Sequence, residues 1–156
     1  MSNWGRGSPL TSLVLPTYNP GPILESTWLS LKQFLDHSDD NWEVLFVCDG
    51  CTDGSPFRLA EWTRGYAEQV RVVSYASNRG KGYAVRFGLA TARGQWRLFT
   101  DVDLAYGFED IERVARTLRQ GAGVVIGSRR HPSSKMLIPT RLSGYVYRRH
   151  VQSEVF

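Results

Sequence analysis

The sequence predicts an α/β fold in which a mostly parallel sheet carries helices on both faces. Five short apolar runs predict strands that begin near residues 12, 43, 70, 96 and 123. These starts are 26 to 31 residues apart, which is the length of a strand and a crossover helix in a parallel sheet. The segments between the runs carry apolar residues at helical spacing, so strands and helices alternate along the chain.

Two of the predicted helices carry a continuous apolar stripe. Residues three and four positions apart share one face of a helix, so each stripe is expected to pack on the sheet. The first stripe consists of Leu24, Trp28, Leu31 and Leu35, and the last of Phe108, Ile111, Val114, Ala115 and Leu118.

Length and composition predict one domain. With 156 residues, of which 42% are hydrophobic, the chain is long enough for one core and too short for two. Residues 1–10 are rich in Gly and Ser and are expected to be flexible, whereas residues 11–130 are expected to form the domain. Residues 131–156 form a basic segment, because after Ser128 five arginines and one lysine face the single acid Glu154.

The overall charge and hydropathy exclude several classes of protein. No stretch approaches the ~18 consecutive apolar residues of a membrane span, and the N-terminus lacks the apolar core of a signal peptide. We therefore expect a cytoplasmic protein, with peripheral contact at the cytoplasmic face of a membrane left open. The net charge of +4 and sixteen arginines raise the possibility of nucleic-acid binding, but the arginines are scattered and no known nucleic-acid motif is present.

Polar residues follow every predicted strand. Ligands of open α/β sheets bind at the carboxyl ends of the strands, so these segments are candidate binding sites. They are residues 16–19, 49–54, 78–82, 101–103 and 128–130.

Asp101 and Asp103 are candidate metal ligands. They flank Val102 directly after an apolar run, and an extended backbone would direct both carboxylates to one side. Mg²⁺ and Mn²⁺ take few protein carboxylates and complete their shells with water and substrate phosphates. A solvated turn or a helix cap is the alternative interpretation of the same pair.

The acids and thiols after the second run have structural alternatives. Asp49 could accept hydrogen bonds from a nucleobase imide or a ribose hydroxyl, or it could be a turn residue. Asp53 is expected to cap a helix that begins near Ser55. Cys48 and Cys51 have the spacing of a redox pair, but the Asp-Gly turns around Cys51 favour a structural role for both thiols.

Residues 78–82, Asn-Arg-Gly-Lys-Gly, lead into a predicted helix. Gly80 would let the backbone approach a phosphate-bearing ligand, and Lys81 would supply charge. Neither a Walker P-loop nor a dinucleotide-binding Gly-x-Gly-x-x-Gly is present. Arg129 is a further candidate phosphate contact, although arginines at strand exits are often simply solvated.

Taken together, these segments indicate a protein family far more specifically than any one of them does. Five segments occur in a characteristic order and spacing. They are Leu-Pro-Thr-Tyr-Asn ending at Asn19, Val-Cys-Asp-Gly-Cys-Thr-Asp around Asp49, residues 78–86, Asp101-Val102-Asp103-Leu104 and Gly-Ser-Arg at 127–129. In that order and spacing the chain resembles family 2 glycosyltransferases over residues 11–130. Within this family it resembles the polyprenyl-phosphate branch, the dolichyl-phosphate glucosyl- and mannosyltransferases.

The resemblance implies a GT-A fold and an inverting transfer of a hexose from a nucleoside-diphosphate sugar, of the UDP-glucose or GDP-mannose type, to a polyprenyl phosphate. Asp101 would face the ribose or the metal, and Asp103 would bind a Mg²⁺ or Mn²⁺ ion that bridges the diphosphate, which makes these two the catalytic residues. The residues implied to bind the donor are Pro16, Thr17, Tyr18, Asn19 and Asp49, with Gly80 and Lys81 nearby.

The chain also departs from the family pattern. Pro20 stands where an acid often follows Tyr-Asn, and Ala105 stands where the mannosyltransferases have a metal-binding Gln. Nothing after Arg130 matches the acceptor segment of this branch, so we expect a C-terminally truncated chain with residues 131–156 as the basic start of that segment. A non-catalytic nucleotide-sugar-binding fragment or pseudoenzyme is therefore the alternative function.

Overall fold

A four-stranded parallel sheet forms the centre of the protein. The computed structural model describes residues 11–128. Its strands are β1 (Thr11–Thr17), β2 (Trp42–Asp49), β3 (Val70–Tyr75) and β4 (Trp96–Phe99), in the order β3-β2-β1-β4. Every pairing is parallel, as the spacing of the apolar runs predicts.

Helices cover both faces of this sheet, which confirms the predicted fold class. They are α1 (Ile23–His37), α2 (Ser55–Trp62), α3 (Lys81–Thr91) and α4 (Gly107–Arg119), with a short 3-10 helix at Arg64–Tyr66. Each face of the sheet has its own hydrophobic core. Side chains of α1, α2 and α4 pack into one core, and α3 packs with the alternate residues of β1 and β2 into the other.

The two central strands are buried on both faces. All eight residues of β2 are buried, and β1 is buried except at Pro16, because helices cover the side chains that alternate to either side. The helix α3 lies especially close to them. A β-carbon added to Gly88 would lie 2.3 Å from Cγ1 of Val14, so only glycine allows this approach.

The predicted fifth strand is wrong. Residues 123–127 form no strand, and Val124 is 79% exposed. A strand requires a partner for its backbone hydrogen bonds, and among residues 11–128 the short edge strand β4 pairs only with β1. The apolar composition of the segment was therefore a poor guide to its conformation.

Several predictions concern parts of the chain that the structure does not describe. The N-terminal segment 1–10, which is predicted to be flexible, Arg129 and the basic segment 131–156 lie outside the described residues. Within the described range, none of the helices combines the length and the apolarity needed to cross a bilayer.

A buried carboxylate joins three segments at the amino edge of the sheet. Glu43, in β2, is 1% exposed and accepts hydrogen bonds from the Ser12 hydroxyl, from Nη1 of Arg71 at 2.8 Å and from the backbone N–H of Arg93 at 2.8 Å. The Ser12 hydroxyl also accepts the N–H of Gly94 at 2.8 Å. This group of residues, the Glu43 network, fastens the chain after α3 to β1 and β2.

The Glu43 network predicts a loss of stability in acid. Burial on its own raises the pKa of Glu43, but the bonds from Ser12, Arg71 and Arg93 outweigh it and leave the pKa below its usual value. A lowered folded pKa stabilises the protein above the unfolded pKa of ~4.3, and this contribution is lost as the pH falls through the folded value. Urea unfolding of the wild type and Glu43→Gln should therefore show a stability difference that is constant near neutral pH and shrinks in acid. A difference that grows as the pH falls from about 7 to 5 would mean a raised pKa and contradict this prediction.

Candidate functional site

The loops at the carboxyl edge of the sheet bring most of the predicted site residues together. The first loop, after β1, is held against the loop after β2. Oδ1 of Asn19 accepts the backbone N–H of Thr52 at 2.8 Å, and Sγ of Cys51 donates to the carbonyl of Thr17 at 3.4 Å. Asn19 has a positive φ of 40°, a conformation that asparagine adopts more readily than most residues.

The remaining residues of the first loop differ in exposure. Thr17 is buried, and its hydroxyl donates to the carbonyl of Leu15 at 2.9 Å. Pro16 is half-buried at the end of β1, whereas Tyr18 is 55% exposed. Tyr18 is therefore the residue of this loop whose ring is most available to a ligand.

Asp53 has a structural role at the start of α2, as the sequence predicts, although the N-cap position itself is held by Gly54. Its carboxylate accepts the N–H of Ser55, the first residue of α2, at 3.0 Å and the N–H of Gly21 at 3.2 Å. Partial burial raises its pKa, but the bonds from Ser55 and Gly21 outweigh this and lower the pKa overall. Asp53 thus ties the start of α2 to the first loop.

Asp49 is the last residue of β2 and anchors the loop that precedes α3. It is 2% exposed; its Oδ1 accepts the N–H of Arg79 at 2.7 Å and its carbonyl accepts Nδ2 of Asn78 at 3.2 Å. The hydroxyl of Tyr75 is buried beside Asp49. Burial raises the pKa of Tyr75, and the nearby Asp49 carboxylate raises it further, although the two groups do not form a hydrogen bond. The Asp49 carboxylate therefore lies inside the site with its position fixed by a backbone amide.

Gly50 allows this arrangement. Its φ is +64°, and a β-carbon added there would lie 2.3 Å from the backbone nitrogen of Asn78 and 2.6 Å from the carbonyl carbon of Ser77. The loops after β2 and β3 therefore touch through their backbones.

The start of α3 carries the basic residues of the site. Gly80 precedes the helix with a φ of 86°, and Lys81 is its first residue. The ammonium of Lys81 forms an ion pair with Oδ1 of Asp101. The guanidinium of Arg79 lies 3.6 Å from the centroid of the Tyr83 ring, an arrangement typical of a cation–π contact.

The Asp101–Asp103 segment differs from the prediction, because it forms a turn and not an extended chain. The N–H of Leu104 donates to the carbonyl of Asp101 at 3.0 Å, and Leu104 has a positive φ of 52°. The hydroxyl of Thr27, in α1, donates to the carbonyl of Val102 at 2.6 Å, and Oδ1 of Asp103 accepts the N–H of Ala105 at 3.2 Å. These bonds close the backbone into a turn directly after β4.

The two carboxylates suit a metal ion that completes its coordination shell with oxygen atoms of a bound nucleotide. Among residues 11–128 no group of three or more His, Cys, Asp or Glu residues could hold an ion by itself. Mg²⁺ and Mn²⁺ bound to nucleotides often have only one or two protein carboxylates. Asp101, whose side chain is 47% exposed, and Asp103 fit that kind of site, whereas Ala105 adds no side-chain ligand.

The redox interpretation of the cysteines finds no support. Both thiols are free. Burial raises the pKa of Cys48 to about 12, and burial also raises the pKa of Cys51. A reactive thiol requires a lowered pKa, so the pair has the structural character that the surrounding turns predict.

Sequence reasoning missed contacts between distant segments. Thr52 holds Asn19 through its backbone, and Tyr75 lies beside Asp49, but no local pattern marks either residue. Lys81 and Asp101 were both predicted as site residues, although nothing in their separate motifs indicated that they pair with each other.

Comparison with known proteins identifies the family. Residues 12–154 match the family described as glycosyl transferase family 2. The chain belongs to this family. Among the relatives of this family 2 chain are dolichyl-phosphate beta-glucosyltransferases from Drosophila melanogaster, 36% identical over 132 residues, and from Homo sapiens, 30% identical over 142 residues. The matches cover 77% and 83% of this chain but only 40% and 44% of the relatives, so the chain spans about two-fifths of their length.

Two solved structures agree with the fold. The mannosyltransferase PcManGT from Pyrobaculum calidifontis, in complex with GDP-Man and Mn²⁺, superposes with a TM-score of 0.55 at 28% identity, over 62% of this chain and 28% of that one. TarS from S. aureus superposes with a TM-score of 0.54 at 22% identity over 78% of this chain and 24% of that one, which supports the fold alone. The GT-A-like architecture is thereby confirmed.

Proposed function

We propose that this chain provides the donor-binding part of an inverting glycosyltransferase that transfers a hexose from a nucleoside-diphosphate sugar to a polyprenyl phosphate. The observation that carries the proposal is that the segment at the start of α3 contacts acids from two neighbouring loops at the carboxyl edge of the sheet. The N–H of Arg79 donates to Asp49, and Lys81 forms an ion pair with Asp101. The named activity of the dolichyl-phosphate relatives and the GDP-Man in the mannosyltransferase complex support the substrate classes.

In this proposal the donor lies across the four loops. Asp49, buried and held by the Arg79 amide, accepts hydrogen bonds from the base or the ribose, and Tyr18 and Asn19 line the same end. Gly80 and Lys81 face the diphosphate, because the start of α3 combines an ammonium group with the positive end of the helix dipole. Arg129 is a further proposed phosphate contact outside the described residues.

Asp101 and Asp103 would hold the divalent ion. The Mn²⁺ in the mannosyltransferase complex supports this choice of cofactor. When bound, a Mg²⁺ or Mn²⁺ ion supplies stabilisation for the negative charge of the leaving nucleoside diphosphate. The protein's own contribution is to hold the two carboxylates in a turn fastened to α1 by the bond from Thr27.

The acceptor chemistry requires little from the described residues. A lipid phosphate is ionised at neutral pH and can attack the anomeric carbon in line without a general base, which inverts the configuration. The proposed lipid acceptor places the protein at the cytoplasmic face of a membrane, where the basic residues 131–156 would meet anionic headgroups.

Replacing Asp103 with Ala tests this proposal. We expect calorimetric titration with UDP, GDP, UDP-glucose and GDP-mannose to show that the wild type in Mn²⁺ binds either the two uridine compounds or the two guanosine compounds. EDTA should abolish this binding. Asp103→Ala should weaken that binding about tenfold or more, because it removes a charged ligand. It should lower the thermal midpoint only slightly, because the bond that it loses from the N–H of Ala105 is exposed.

The matched control is Asp39→Ala. Asp39 is an exposed acid in the connection between α1 and β2, away from the carboxyl edge, and its variant should bind like the wild type. Unchanged binding in Asp103→Ala would remove the metal role of this residue. Absence of nucleotide binding in the wild type would contradict the proposed function itself.

A further inference from the structure

The ion pair between Lys81 and Asp101 joins a donor-phosphate residue to a metal residue. These residues lie on different elements, at the start of α3 and just after β4, so the pair is a tertiary contact. In the part of the chain that the structure describes, neither side chain forms another ion pair. The Lys81 ammonium therefore occupies the position of a cation at a carboxylate proposed to bind one.

Charge balance explains why a cation is needed there in the absence of a ligand. Asp101 and Asp103 are two residues apart in a tight turn, and without a cation their negative charges would repel. Lys81 supplies one positive charge to this pair.

A divalent metal and the Lys81 ammonium compete for the same oxygen. A metal bound at Asp101 would repel the ammonium, whose long flexible side chain can move away. A nucleoside diphosphate supplies a new anionic partner for Lys81 within reach of the same helix start, and lysine binds phosphate well as a point charge. The displaced ammonium thus has a partner only when metal and nucleotide are both present.

We propose that Lys81 is a placeholder cation, which neutralises Asp101 in the nucleotide-free protein and transfers to the donor diphosphate when the divalent metal takes its place. This inference rests on the proposed function. It makes the binding of metal and nucleotide mutually dependent, because Lys81 weakens metal binding in the free protein and strengthens nucleotide binding in the metal-loaded one.

The test is Lys81→Met, which removes the charge and retains much of the side-chain length. Binding of Mn²⁺ alone is followed by the electron paramagnetic resonance signal of the free ion, and nucleotide binding by calorimetry at saturating Mn²⁺. We expect Lys81→Met to bind Mn²⁺ alone about threefold more tightly, as expected for loss of an exposed ion pair. The same variant should bind the nucleotide about tenfold more weakly, because a charge-assisted contact to phosphate is lost.

Two controls separate charge from other effects. Lys32→Met removes the only other described lysine, which is exposed on α1, and should change neither affinity. Lys81→Arg retains the charge and should keep Mn²⁺ binding as weak as in the wild type.

The outcomes distinguish this inference from the proposed function. Mn²⁺ affinity of Lys81→Met that is unchanged or lower, with nucleotide binding lost, would overturn the placeholder role and leave Lys81 as a simple phosphate contact. A wild type that binds no nucleotide would overturn the proposed function. The Mn²⁺ measurement would then still support or overturn the competition at Asp101 by itself.

Discussion

Replacing Gly50 with alanine should lower the free energy of unfolding by about 3 kcal/mol. The added β-carbon would lie 2.3 Å from the Asn78 nitrogen, and the positive φ of +64° adds backbone strain. The backbone at Ser77 and Asn78 cannot move away without breaking the bonds from Asn78 and Arg79 to Asp49. Urea unfolding monitored by tryptophan fluorescence measures the effect.

Gly21→Ala is the matched control for this variant. Gly21 has a similar φ of +58°, but nothing lies within 4 Å of an added β-carbon. Gly21→Ala should therefore lower the free energy of unfolding only by the backbone strain, which is about 1 kcal/mol. Equal losses in the two variants would show that the contact between the loops after β2 and β3 does not restrict residue 50.

Glu43→Ala should destabilise the protein by a similar amount, about 3 kcal/mol or more. The substitution leaves the hydroxyl of Ser12 and the N–H of Arg93 without their acceptor, and it leaves the guanidinium of Arg71 without its charged partner. Buried polar groups that lose a charged partner carry their full desolvation cost. Denaturant unfolding at neutral pH gives this value directly.

An ion pair nearer the surface provides the comparison for Glu43. Asp40 accepts Nη1 of Arg119 at 2.6 Å, a shorter distance than that from Arg71 to Glu43, but both of its side chains are partly exposed. Asp40→Ala should therefore cost less than about 1 kcal/mol. If the Asp40 and Glu43 variants lost equal stability, burial would not be the source of the energy in the Glu43 network.

The central part of the fold could be predicted because its physical cause is local. A strand buried on both faces is apolar along most of its length, and a helix on a sheet is apolar along one stripe. Both patterns can be seen in the chain at β2 and α1. The segment 123–127 has the same composition but no backbone partner among the described residues, and a partner cannot be identified from composition.

The candidate site could be predicted only in part. The polar residues after each strand indicated the correct edge of the sheet, since parallel strands end together. The turn at Asp101 depends on a bond from Thr27, 75 positions away in sequence, and the approach at Gly50 depends on Asn78. Such contacts arise from the packing of separate loops, and no periodicity in the chain encodes them.

The position of the Glu43 network relative to the candidate site has a consequence for how the chain can diverge. Glu43 and Asp49 lie in the same strand, six residues and therefore about 20 Å apart, at opposite edges of the sheet. Substitutions at that separation are energetically close to additive. Loops at one edge can thus accumulate changes that alter the proposed ligand site, while the other edge continues to hold the scaffold, so a change in that site does not require a change in stability.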